Sequence, residues 1–65
     1  MTEIEVLRED IANDLKYANE LMGRISRLLT AGEYASASVW TDYLQGRIKS
    51  AERSQKRITK LEAKK

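Results

Sequence analysis

The sequence predicts an all-α fold: an antiparallel two-helix hairpin that self-associates into a four-helix bundle or a larger helical oligomer. Apolar residues recur three and four apart in two long runs. Proline is absent and glycine occurs only at positions 23, 32 and 46, so little in the composition breaks a helix. One turn signal, Leu29-Thr30-Ala31-Gly32-Glu33-Tyr34, separates the runs, and a short turn between two helices folds them back antiparallel. Residues 1–65 then form a single helical-hairpin domain, with helix 1 at about 3–29, a turn at 30–32, helix 2 at about 33–61 and a frayed basic tail at 62–65.

Helix 1 opens on a capping-box pattern, Thr2 with Glu5, flanked by Met1 and Val6 at hydrophobic-staple positions. Its apolar stripe runs Ile4, Leu7, Ile11, Leu15, Ala18, Leu21, Met22, Ile25, Leu28 and Leu29. In heptad terms positions 4, 11, 18 and 25 form one core column and 7, 14, 21 and 28 the other, with Asp14 the misfit. The turn has two readings. Thr30 and Glu33 fit a second capping box with Leu29 and Tyr34 as its staple; if helix 1 runs further, Gly32 supplies a left-handed backbone instead.

Helix 2 carries Ala37, Trp40, Leu44, Ile48, Ala51, Ile58 and Leu61 as its stripe, but Arg47 and Ser54 fall in the column of Trp40 and Leu61. Its small residues, Ala35 to Ser38 and then Ser50, Ala51 and Ser54, permit close helix approach or leave a groove. Folding at the turn pairs positions whose numbers sum to about 62 to 65. Asp14 and Arg47, each the misfit of its helix, then come within one helical turn. An isolated buried carboxylate is costly, so an Asp14–Arg47 ion pair is expected, within a chain or across a dimer.

Charge also divides along the chain. Residues 1–22 carry six acidic and two basic side chains, whereas residues 47–65 carry eight basic and two acidic ones. The hairpin sets these segments side by side. Each exposed pair contributes a few tenths of a kcal/mol, but the set disfavours parallel and slipped arrangements.

Without cysteine or histidine, disulfides and a zinc site of the usual kind are excluded. Self-association is the remaining support for a small helical scaffold. No apolar run approaches the roughly 20 residues of a membrane span, and Met1-Thr2-Glu3-Ile4-Glu5 is acidic where a signal peptide is basic. No membrane association and a cytoplasmic location are the expectation. An enzyme is not expected either. The chain has no histidine or cysteine to act as base or nucleophile and no glycine-rich phosphate loop. No cofactor or metal is expected, because carboxylates such as Glu9 and Asp10 read as a solvated face near a helix N-terminus.

Two binding surfaces remain. Trp40 and Tyr43 lie three apart with Arg47 one turn on, and the register brings Tyr17 to the same level. These residue types dominate binding energy at interfaces, so the cluster is a candidate site for a protein partner. Its structural alternative is a cap on the core or a self-association seam. Arg53, Lys56, Arg57 and Lys60 recur at helical spacing as a cationic ridge able to follow a nucleic-acid backbone. Its alternative is a solvated face partly paired with Glu3, Glu5, Glu9 and Asp10. The preferred function is a non-enzymatic adaptor or inhibitor that acts as a homo-oligomer, at least a dimer. Nucleic-acid binding through the ridge is the second reading.

Leu21-Met22-Gly23-Arg24-Ile25 is echoed in Leu44-Gln45-Gly46-Arg47-Ile48, with one mismatch and no continuation in the adjoining residues. A glycine inside each helix suggests close approach of another chain. In size and periodicity the chain resembles the small dimeric hairpins of the Rop type that regulate plasmid RNA, and the short helical proteins that phages encode to bind host factors. The resemblance rests on no shared motif. It implies a bundle-forming regulator, phage- or mobile-element-encoded, whose partner is RNA or a host protein.

Overall fold

Thr2 begins the first helix. Its backbone is extended and its hydroxyl accepts from the Glu5 N–H at 3.2 Å, while its carbonyl accepts the Val6 N–H at 3.1 Å. That is the N-cap half of the expected box. Among the described residues Glu5 makes no reciprocal bond, and Met1 and Val6 stay exposed, so no staple closes over the cap. The structure, a computed structural model that describes residues 1–64, carries α1 over Glu3–Thr30 and α2 over Tyr34–Ala63.

At the turn, the glycine reading holds and the second capping box does not form. Helix α1 runs through Thr30, whose hydroxyl donates back to the Ser26 carbonyl at 3.0 Å, and α2 starts only at Tyr34 with no side-chain cap. Gly32 has φ +76°. Its N–H reaches the Leu29 carbonyl at 3.1 Å and the Glu33 N–H reaches the Leu28 carbonyl at 2.9 Å. These are the two bonds of a Schellman motif, which satisfies carbonyls that the helix end leaves open. Glu33 starts α2 without a side-chain cap, and Leu29 and Tyr34 both remain exposed rather than stapled. The basic tail also departs from expectation: α2 stays helical through Ala63, and the expectation for Lys65 lies outside the described residues.

The helices pack through their heptad columns. On α1 these are 4, 11, 18, 25 and 7, 14, 21, 28; on α2 they are 37, 44, 51, 58 and 40, 47, 54, 61. Apart from Arg47, every residue in these columns is buried or half-buried. Leu15, Met22 and Leu29 of α1 and Ile48 of α2, expected in the seam, lie one column outside it, each 49–54% exposed. The reason is geometric. A two-helix seam has room for two columns per helix, and these residues occupy the third.

A hairpin with Cα extents of 51 × 16 × 11 Å is one helix thick, so its seam opens on both broad sides. Among the described residues only Ala18, Ala37, Ile58 and Asp14 are buried, and no large side chain is fully enclosed. Small residues dominate the middle of the seam, where Ala18 and Ala51 flank Asp14. Among the described residues no helix is long and apolar enough to cross a membrane.

Candidate functional site

On one broad side, arginines of each helix lie across aromatic rings of the other. The Arg47 guanidinium sits 4.5 Å above the Tyr17 ring and the Arg24 guanidinium 4.6 Å above the Trp40 ring. Tyr43 packs against Trp40 at 5.5 Å between centroids, tilted by 57°. The cluster expected from sequence is therefore assembled: Tyr17, Trp40, Tyr43 and Arg47 line one open groove of about 890 Å³. Trp40 is half-buried in the seam and Tyr43 is 60% exposed.

Asp14 and Arg47 meet within the chain, Nη1 to Oδ1 at 3.2 Å. The pair is buried on one side only. Asp14 is 5% exposed, whereas the Arg47 side chain is 46% exposed and reaches in from the groove. Asp14 Oδ2 has no hydrogen-bond partner among the described residues. Removing Arg47 would leave a buried carboxylate without compensation, so the aromatic stack and the ion pair both fix this arginine's direction.

Sequence reasoning missed Arg24, Arg27 and Glu20, which complete the groove. Arginines beside a seam read as solvated charge until the facing residue is known. A signal was nevertheless present in the echo of 21–25 in 44–48. The adjoining residues do not continue it, but at the same 23-residue offset Tyr17 stands to Arg24 as Trp40 stands to Arg47, seven residues ahead in each case. In an antiparallel pair this repeat is crossed, so each arginine stacks on the other copy's aromatic. The two stacks lie about 10 Å apart along the axis, two helical turns. A guanidinium placed over a ring face still has N–H groups that can meet carboxylate or phosphate. Arg24 makes no ion pair among the described residues, and so has N–H groups to offer.

The basic ridge is laid out differently. Arg57 donates to Glu3 at 3.0 Å across the hairpin, and Lys56 pairs with Glu52 one turn earlier at 3.3 Å. Arg53 and Lys60 are exposed and make no ion pair among the described residues. Among the described residues the acidic and basic arms form ion pairs only at Glu3–Arg57 and Asp14–Arg47, fewer bridges than their charge implies. Among the described residues no group of three or more potential ligands is placed to hold a metal.

No family model matches the chain, and no curated protein or solved structure is significantly similar to it.

Proposed function

We propose that this chain is a non-enzymatic protein-interaction module that acts as a homo-oligomer and takes a protein partner into the aromatic–arginine groove. The crossed pair of stacks supports this reading most strongly. Trp40 and Tyr43 supply apolar area, and Arg24, set over the Trp40 ring, supplies a charged donor, the combination that concentrates binding energy at interfaces. An anionic side chain on the partner suits that donor.

Capture from a native extract by immobilised wild-type chain and by the Arg24→Ala/Tyr43→Ala variant tests it. A protein retained by the first and lost by the second, unaffected by nuclease and by salt up to about 200 mM, is the expected result. Retained material that nuclease releases, or that about 200 mM salt removes equally from both, would favour the second reading. That reading is nucleic-acid binding through Arg53, Lys56, Arg57 and Lys60, and it rests on the exposure of all four and on Arg53 and Lys60 making no ion pair among the described residues.

A further inference from the structure

The side opposite the groove is built differently. In an antiparallel heptad pair, the third column of α1 and that of α2 fall on the same side. Here they hold Leu15, Met22 and Leu29 on α1 and Ile48, Thr41 and Tyr34 on α2. The hairpin register sets Leu15 level with Ile48, Met22 with Thr41, and Leu29 with Tyr34. Five of the six are large apolar or aromatic residues, each 49–68% exposed. The strip is about 21 Å long, fourteen residues of helix. The positions next outward include Ala12, Ser26, Ser38 and Gln45, all uncharged. Charge returns only toward the free ends, at Arg8 and Glu52.

We infer that this strip is the surface on which a second copy of the chain packs, giving a two-layer, four-helix assembly whose aromatic–arginine grooves face outward on both sides. The inference rests on the homo-oligomer reading above and names the face that reading leaves open. Three features select a second copy as occupant. With apolar residues in the two seam columns and one flank, α1 has the pattern of a helix inside a bundle rather than one in a two-helix seam. A single helical layer leaves its seam open on this side, and a second layer encloses it. The strip is also self-complementary. When two copies meet with their turns at the same end, α1 of each lies over α2 of the other. Leu15 then covers Ile48, Leu29 covers Tyr34, and Arg8 of one copy comes over Glu52 of the second. The opposite orientation, centred on Met22, matches only the same short strip and leaves both free ends unpaired.

Such an assembly is bivalent by construction. Its two grooves sit on opposite outer faces, so a partner displayed in several copies is bound with avidity.

Sedimentation at several concentrations, with helicity followed by circular dichroism, tests the inference on the full chain. Wild-type chain is expected to be dimeric at micromolar concentration. Met22→Glu/Thr41→Glu places four carboxylates at the centre of the strip and should raise the dimer dissociation constant at least about 100-fold. Met22→Lys/Thr41→Lys should do the same, and an equimolar mixture of the two variants should recover both dimer and helicity. Tyr43→Glu, on the groove side, should leave the dimer intact. Wild-type chain that stays monomeric and fully helical at about 100 μM would overturn the homo-oligomer reading itself. A wild-type dimer that persists unchanged in the Glu/Glu variant would overturn only the choice of face. Glu/Glu and Lys/Lys chains that remain monomeric or unfolded when mixed would also overturn that choice.

Discussion

The two broad sides of the hairpin share one seam and differ in everything that flanks it. On the groove side the flanking columns hold Glu3, Tyr17, Arg24, Tyr43 and Arg57, and cross-helix contacts are polar or cation–aromatic: Arg24 on Trp40, Arg47 on Tyr17 and Arg57 with Glu3. On the other side Leu15, Met22, Leu29, Tyr34 and Ile48 stand half-exposed. Long arginine side chains can reach across a seam and cover it, since their stems pack while their heads stay in water. Leucine and methionine cannot reach so far, and they need a facing surface. The hairpin thus partly covers one side with its own side chains and leaves the other exposed. On the proposed reading, that difference puts self-association on the apolar side and partner recognition on the polar one.

The largest change expected within the hairpin comes from cutting the groove side out of the seam. Trp40→Ala removes the ring under Arg24 and opens the seam near the turn; it should cost about 2–3 kcal/mol, less than full core truncation because Trp40 is only half-buried. Chemical denaturation of the variant checks the figure. Arg47→Ala follows, at about 2 kcal/mol, because it strands the Asp14 carboxylate, whose Oδ2 already lacks a partner. In an Asp14→Leu background the same Arg47→Ala change should cost less than about 1 kcal/mol. A double-mutant cycle showing no such coupling would mean that the ion pair does not hold the groove in place.

Smaller effects sharpen the contrast. Thr2→Ala removes the one side-chain cap of α1 and should lower stability by about 1 kcal/mol. Gly46→Ala should raise stability by about 1 kcal/mol, since a Cβ there meets nothing within 4 Å. Gly46 lies toward the groove and away from the apolar strip, so its substitution should leave self-association unchanged. Weakened assembly in Gly46→Ala would restore the expectation that another copy's backbone approaches the glycines, and would break the division of roles between the two sides. Glu3→Gln should lower stability least, by less than about 0.5 kcal/mol, because both partners of its bridge are half-exposed.

Much of this architecture is legible in the residues alone. The heptad columns, the Thr2 cap and the meeting of Asp14 with Arg47 follow from periodicity and from two misfits whose burial cost has one common solution. The turn divides on a single hydroxyl. Thr30 fits a cap for α2 as well as a last turn for α1, and it bonds Ser26 because Gly32, free to take positive φ, lets α1 run on. Ile48, Leu15, Met22 and Leu29 read as seam residues because a 3.6-residue stripe does not reveal how wide the facing helix is. Arg24 escaped notice because its role depends on Trp40 beneath it, a cross-helix relation that one helix's pattern does not contain. The repeat linking Tyr17 and Arg24 to Trp40 and Arg47 held that information, in a form recognisable only once antiparallel pairing crosses the two copies.

The most direct test of the division between the sides is the dimer dissociation constant of two variants measured together. One carries Leu15→Glu and Ile48→Glu on the apolar side; the other carries Arg24→Ala and Tyr43→Ala on the groove side. The first pair should raise the constant at least about 100-fold, and the second should leave it within about threefold of wild type. Loss of the dimer in the groove-side pair, with the apolar-side pair unaffected, would contradict the assignment.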